Sequence, residues 1–322
     1  MLALGVLLAS SMAAPQLVDA ARVRPTAAAV PRVLAIHPHL VRGMGGSTIL
    51  VLGRGFTRRT TITVGGRRAR VLAVRNPRAV IAVAPRGIGT EVVRAVTQGG
   101  TSARNARSLV HYANRVLVVG DSVGTDLGWG FTPGLELQGD LSMTDDAVGS
   151  SGLVRTDFYN WPDHLRADIA LTHPDVVMTL FGTNDEQAIT TSTGIVEPGT
   201  PAWNRIYAAR VRQVAKIVHQ AGATLLWIGL PRMGPQSSLS QQFVSSLVRL
   251  DRAVISSVRR ATFVDSWLVF TTTRGTYTPY VEVSPHDWAL GHSPDGTHLT
   301  PEGAAVIDAR ALEDLRVLLT RH

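Results

Sequence analysis

The 322-residue chain contains no cysteine. That excludes disulfides, thiolate nucleophiles and thiolate metal sites, and it fits any redox compartment. Lysine is almost missing as well: Lys216 stands alone among the Lys+Arg total of 32. A coding bias toward arginine accounts for this as simply as chemistry does, so arginine content by itself is not read as phosphate recognition. Aromatics make up only 6%, yet apolar residues reach 45%. That balance describes a packed interior of small and branched side chains, not a disordered chain. Acidic residues are scarce in one region. From Pro31 to Tyr112 there are 14 Arg against one acid, Glu91, a local charge of +13. From Ala113 to His322, 16 basic residues face 22 acidic ones, a charge of −6, within an overall +8. The length has room for two domains, and the asymmetry gives them different partners.

Long apolar runs are absent beyond residues 1–20, "MLALGVLLASSMAAPQLVDA". There Ser10, Ser11, Pro15 and Gln16 interrupt a run already short of the roughly 20 residues a span needs. It reads as a signal peptide with a small-residue cleavage site after Ala20, although the first Arg is Arg22 and a basic leading segment is missing. Residues 21–30 then form a linker. The expectation is a secreted or cell-envelope-associated protein with no transmembrane span after the signal.

Residues 31–112 read as short strands split by turns. "STILVLG", "TITVGG", "ARVLAV", "AVIAVAP" and "EVVRAVT" are β-branched and partly alternating, and Gly45-Gly46, Gly65-Gly66 and Gly99-Gly100 punctuate them. The expectation is a small antiparallel sandwich. The segment resembles the IPT/TIG immunoglobulin-like domain through Ile36 and Pro38, "GGSTILVLGRGF" (45–56), "VGG" (64–66) and "GGTSA" (99–103). The resemblance implies a spacer or binding module without catalytic residues. Two readings of its charge stand side by side: a surface that docks on anionic envelope polymers, and a solvated arginine face with no dedicated partner. Nucleic acid is disfavoured, because interleaved aromatics are lacking.

From Arg115 the periodicity changes. "VLVVG" (116–120), "DVVMTLFG" (175–182), "TLLWIGLP" (224–231) and "TFVDSW" (262–267) are continuous apolar runs, as buried parallel strands require. Helical patterns alternate with them. One places Trp203, Ile206, Tyr207, Val211, Val214, Ile217 and Val218 on one face and stops at Gly222. A second covers "SQQFVSSLVRLDRAVISSVRR". A third starts with Thr300 as cap and Pro301 at its first position. Residues 113–322 are therefore expected to be an α/β domain, a doubly wound parallel sheet of flavodoxin-like type, with ligands beyond the C-terminal strand ends.

Four motifs fall near such ends. "GDSVG" places Ser122 after the first strand, "GSSGLV" places Gly152 after a second, "FGTND" places Asn184 after the third, and "SPDGTHLTPEG" places Asp295 and His298 before the last helix. A serine hydroxyl becomes a nucleophile when a base takes its proton. Imidazole serves near neutral pH, and a carboxylate on its far nitrogen fixes the tautomer. A tetrahedral oxyanion needs preset donors, which a backbone N–H and an asparagine amide supply. Singly these motifs are turns and loops; together and in this order they resemble the SGNH (GDSL-type) hydrolases. The resemblance runs from Arg115 to the C-terminus. It implies Ser122 as nucleophile, His298 as base, Asp295 as orienting acid, and an oxyanion hole of the Ser122 N–H, the Gly152 N–H and the Asn184 side chain, with Gly149 as the rival of Gly152. The phrasing "SSGLVRTDFYNWP", "HPDVVMTLFGTND" and "WNRIYAARV" looks closest to a branch linked to O-acetyl groups on peptidoglycan.

Residues 120–124 also satisfy G-x-S-x-G, the elbow of α/β-hydrolases. Two features oppose that fold: the serine follows the first strand of its domain, and the acid and base lie three residues apart on one loop. Trp129 is the leading candidate for substrate contact, and Asp126 on the same stretch either contacts a polar substrate or caps a turn. His286, Asp287 and His292 match no zinc spacing, so no metal or cofactor is expected. The expected enzyme is an esterase acting on small O-acyl groups, above all acetyl, on envelope carbohydrate. An O-acetyltransferase and a non-catalytic envelope-binding protein are the alternatives.

Overall fold

The computed structural model describes residues 29–130 and 141–320, so the leader read as a signal peptide lies outside the described residues. In the N-terminal half, period-two alternation produces β1 (Arg32–His37), β2 (Leu40–Arg42), β3 (Thr48–Arg54), β4 (Thr61–Val64), β5 (Arg67–Asn76), β6 (Ala79–Val83), β7 (Gly89–Thr97) and β8 (Gly100–Thr101). They form a β-sandwich. One layer runs β1–β3–β6–β5 with antiparallel neighbours; the other runs from β5 through β4 to β7. Ile49, Val51, Val80 and Ala82 from the first layer and Ile62, Val64, Val93 and Ala95 from the second are fully buried between them. Most of the arginines take outer positions: in β5, Arg68 and Arg70 are exposed on either side of buried Ala69.

The next strand, β9 (Leu109–Gly120), belongs to both halves. Its start pairs antiparallel with β7 and parallel with β2, and the rest pairs parallel with the strands that follow. Beside it, the Asp175 carboxylate, 1% exposed, accepts from Arg42 Nε (3.0 Å), Arg42 Nη2 (2.8 Å) and the Arg115 N–H (3.1 Å). Met44 and Ile88 pack against the core of the second half. A shared strand, a buried carboxylate and apolar contact therefore join the two halves.

The second half contains β10 (Leu141–Asp145), β11 (Val176–Leu180), β12 (Ile189–Thr191), β13 (Gly194–Val196), β14 (Thr224–Ile228), β15 (Ala261–Val264), β16 (Tyr280–Ser284) and β17 (Asp287–Leu290). Its helices are α1 (Ser122–Gly130), α2 (Trp161–Thr172), α3 (Pro201–Gln220), α4 (Gln241–Ile255) and α5 (Pro301–Thr320). The sheet order is β10–β9–β11–β14–β15, with every neighbour parallel. Helix α1 packs on α5, while α3 packs on α2 and α4, which leaves the sheet between two helical layers. All five residues of β11 and of β14 are buried, which explains their uninterrupted apolar character. Thr200 caps α3 by accepting the Trp203 N–H (3.3 Å), and Gly222, at φ 76°, turns the chain out after it. Periodicity did not announce α2 or the two hairpins β12–β13 and β16–β17.

The chain leaves β9 for β10 on one side and returns to β11 on the other. The crevice at the C-terminal ends of β9 and β11 is where such sheets bind ligands. Among the described residues no helix is long and apolar enough to cross a membrane.

Candidate active site

Ser122 begins α1 immediately after β9, and His298 lies just before α5, which packs on α1. This helix pair brings residues 176 positions apart into contact: Ser122 Oγ stands 2.9 Å from His298 Nε2. On the other side of the ring, His298 Nδ1 is 2.6 Å from Asp295 Oδ2. A carboxylate only accepts, so Nδ1 carries the proton and Nε2 presents its lone pair to the serine hydroxyl. Asp295 Oδ1 accepts the N–H groups of Thr297 (2.9 Å) and His298 (3.0 Å), which folds the loop around its own carboxylate. Burial works to raise the pKa of Asp295, but the His298 hydrogen bond and these two N–H groups outweigh it and hold the pKa at about 2. Burial works to lower the pKa of His298. The Asp295 hydrogen bond and the charges of Asp295, Asp126 and Asp121 prevail, and it rises above its ordinary value.

Two buried carboxylates tie the surrounding loops together. Asp121 Oδ1 accepts the Val123 N–H (3.1 Å), and its Oδ2 accepts the N–H groups of Gly182 (3.0 Å) and Thr183 (2.9 Å), linking the Ser122 turn to the loop after β11. Burial pushes its pKa up to about 6 despite these hydrogen bonds. Asp185 accepts the N–H groups of Leu153 (3.1 Å) and Val154 (2.8 Å) and the Tyr207 hydroxyl (2.9 Å). It links the loop after β11 to the Gly152 loop and to α3, and burial raises its pKa. Asn184 reaches the same loop, donating from Nδ2 to the Ser151 carbonyl (2.9 Å).

Gly152 presses against Asp185: a Cβ there would stand 2.4 Å from Asp185 Oδ1, so the position admits no side chain. A Cβ on Gly149 would lie 4.0 Å from Ser122 Cβ, which places Gly149 beside the serine itself. Between them Ser150 turns the chain with φ 61°. Among the described residues neither the Ser122 N–H nor the Gly152 N–H has an acceptor.

Asp126 does not sit as an open substrate contact. It is 4% exposed, and its Oδ2 accepts the Leu299 N–H (2.9 Å), so it fastens the His298 loop to α1. The Trp129 side chain lies outside the described residues. Trp161, Trp203 and Met233 are buried in the core; Trp161 also donates from Nε1 to Ser151 Oγ (3.0 Å), bracing the loop next to Gly152. His292 is buried and stacks on Phe270 with ring centroids 3.8 Å apart; burial lowers its pKa to about 4, so it is neutral near pH 7. Among the described residues no three His, Asp or Glu side chains are grouped to hold a metal. A supporting role for Asp185 in its loop is legible locally, but the partners of Asp185 and Asp126 are not, because they come from distant segments. Serine, imidazole and carboxylate in line, with unengaged N–H groups nearby, can carry out nucleophilic acyl transfer.

Among solved structures, the chain is similar to a GDSL-like lipase from Bacteroides thetaiotaomicron VPI-5482, at 16% identity over 64% of this chain and 89% of that one, with a TM-score of 0.45. It is similar to an acetyl xylan esterase at 14% identity over 62% and 99% of the two chains, with a TM-score of 0.44. It is also similar to an acetyl esterase variant holding acetate, at 12% identity over 64% and 98%, with a TM-score of 0.43. No curated protein matches it. Residues 31–112 match the IPT/TIG domain. Residues 115–314, more than half of the chain, match a second family model, and the chain belongs to the family described as "Protein of unknown function (DUF459)".

Proposed function

We propose that the chain is a serine esterase of the SGNH (GDSL-type) kind, hydrolysing small O-acyl esters, above all O-acetyl esters, on cell-envelope carbohydrate such as peptidoglycan. The observation that carries this reading is the continuous line Ser122 Oγ to His298 Nε2 (2.9 Å) and His298 Nδ1 to Asp295 Oδ2 (2.6 Å). The order of the parallel strands supports the flavodoxin-like naming of the domain.

In this reading Ser122 Oγ attacks the acyl carbon as His298 Nε2 takes the hydroxyl proton. Asp295, ionised throughout, stabilises the imidazolium. The carbonyl oxygen becomes an oxyanion and accepts from the Ser122 N–H, the Gly152 N–H and Asn184 Nδ2, each donor contributing roughly 3–4 kcal/mol in the transition state. Collapse breaks the bond to the alcohol oxygen, which leaves with the proton from His298. Water then attacks the acyl-serine, giving its proton to His298 and its oxygen to the acid product, and Ser122 recovers its proton. Asp121 and Asp185 hold the three contributing loops in register, so the donors are set before substrate arrives.

The leader at 1–20 supports export, and the exposed arginines of the sandwich support attachment to anionic envelope polymers. The test is hydrolysis of p-nitrophenyl acetate, butyrate and octanoate by the full chain and its Ser122→Ala and His298→Ala variants. Acetate-selective turnover lost in both variants is expected. Full activity in either variant overturns the reading.

A further inference from the structure

Two cavities open along the loop that follows Asn184. One, of about 370 Å³, is walled by Asn184, Glu186, Gln187, Ser238 and Ser240. The other, of about 680 Å³, is walled by Arg155, Asp157, Gln187, Thr190 and Arg210. Gln187 belongs to both walls, so the cavities meet at that residue. Its position is set by three contacts: its N–H donates to the Asp185 carbonyl (2.7 Å), its carbonyl accepts from Trp203 Nε1 (2.8 Å), and its side-chain amide donates to the Asn184 carbonyl.

Both cavities border the loops of the candidate site. The first has Asn184 in its wall. Its far wall is braced by Glu186, which accepts the Ser240 N–H (2.8 Å) and hydroxyl (2.5 Å). The neighbouring Ser237 is bonded to Thr297, beside His298 (2.8 Å). The second cavity continues from the segment just after Gly152, where Arg210 Nη1 donates to the Leu153 and Val154 carbonyls (2.5 and 2.8 Å). Each volume falls in the range of roughly 300–1,000 Å³ typical of ligand sites.

The wall chemistry selects among ligands. A fatty acyl chain gains about 0.8 kcal/mol per buried methylene and needs apolar walls. Here carboxylates, amides, hydroxyls and guanidinium groups outnumber the apolar Leu239, Val154, Ala188 and Ile189 in the walls. Sugar hydroxyls both donate and accept, which suits this mixed set of donors and acceptors.

Building on the esterase reading, we propose that the two cavities form one groove holding the alcohol side of the ester as an extended glycan chain. Gln187 lies at the junction, and the ester meets Ser122 at the Asn184 end. The site is built for a position along a polymer, with several sugars engaged at once.

The test uses β-1,4-linked xylo- and chito-oligosaccharides of one to six units, titrated calorimetrically into the Ser122→Ala full chain. Affinity rising at least tenfold from one unit to four is expected. Thr190→Trp and Ser238→Trp, both at exposed positions, each reduce that affinity at least tenfold, with an unchanged thermal melt showing that both variants remain folded. Affinity independent of length, absent for every oligosaccharide, or unchanged by both tryptophans overturns the proposal. The two readings separate: p-nitrophenyl acetate turnover through Ser122 without length-dependent binding removes the groove and leaves the esterase. Length-dependent binding with an unreactive Ser122 keeps a glycan groove and removes the esterase.

Discussion

Replacing Asp295 by asparagine changes one atom, and the structure says where that atom goes. Asp295 Oδ1 already accepts two backbone N–H groups, from Thr297 and His298. An amide NH₂ placed there would face two donors, so the asparagine keeps its carbonyl oxygen on that side. Its NH₂ is then directed at His298 Nδ1, where Oδ2 lay at 2.6 Å. Nδ1 has to accept, and the ring proton moves to Nε2. That nitrogen, 2.9 Å from Ser122 Oγ, then has no lone pair for the serine proton. The same tautomer trap in serine proteases costs about 10⁴ in kcat, which corresponds to about 5.5 kcal/mol of barrier at 1.36 kcal/mol per decade. The Asp295 side chain is 49% exposed, so the swap barely touches packing and Tm is expected to move by less than ~2 °C. Steady-state hydrolysis of p-nitrophenyl acetate together with a thermal melt reads both quantities. A kcat within tenfold of the parent in an Asp295→Asn chain with unchanged Tm would mean that Asp295 does not set the His298 tautomer.

The remaining predictions concern the base and the braces. Below the raised pKa of His298 the imidazolium has no free lone pair, so kcat/KM is expected to climb with pH through a value above 6.5 and then level off. Asp295, at about 2, stays ionised and adds no limb between pH 4 and 9; a flat profile from pH 5 to 8 contradicts this. Asp185→Ala orphans three buried donors at about 1–3 kcal/mol each, so denaturant unfolding is expected to show a total loss of about 3–9 kcal/mol, with kcat falling more than KM rises. Arg42→Ala leaves the buried Asp175 without its closest cation; urea unfolding is expected to show a loss of about 2–4 kcal/mol, and an unchanged midpoint would mean the two halves are not coupled through that pair.

What the sequence made legible follows from how local each cause is. The end of β9 (residues 116–120) and all of β11 and β14 are buried on both faces, so their apolar runs are unbroken and visible in one dimension. Helix α2 buries only Trp161, Leu165 and Ile169, too thin a stripe to stand out by periodicity. The hairpin β16–β17 leaves Tyr280, Trp288 and Leu290 exposed, so no buried face announced it. Ser122, Asn184, Asp295 and His298 are legible because each sits at a strand end or just before a helix. Asp126 was open to a substrate role because its partner, the Leu299 N–H, lies 173 residues away and no local pattern points to it. The relation of Gly149 to Gly152 depends on the left-handed turn at Ser150, which no residue preference at serine signals. The charge asymmetry was plain in composition. That the surface residue Arg42 also clamps Asp175 in the other half required the fold.

The central claim is that His298 and Asp295 make Ser122 a nucleophile. The most direct measurement is labelling of the full chain with a fluorophosphonate at pH 8, followed by peptide mass spectrometry. One adduct is expected, on the peptide carrying Ser122 and lost in the His298→Ala chain. No adduct on folded protein, an adduct on another residue, or undiminished labelling of Ser122 without His298 would contradict it.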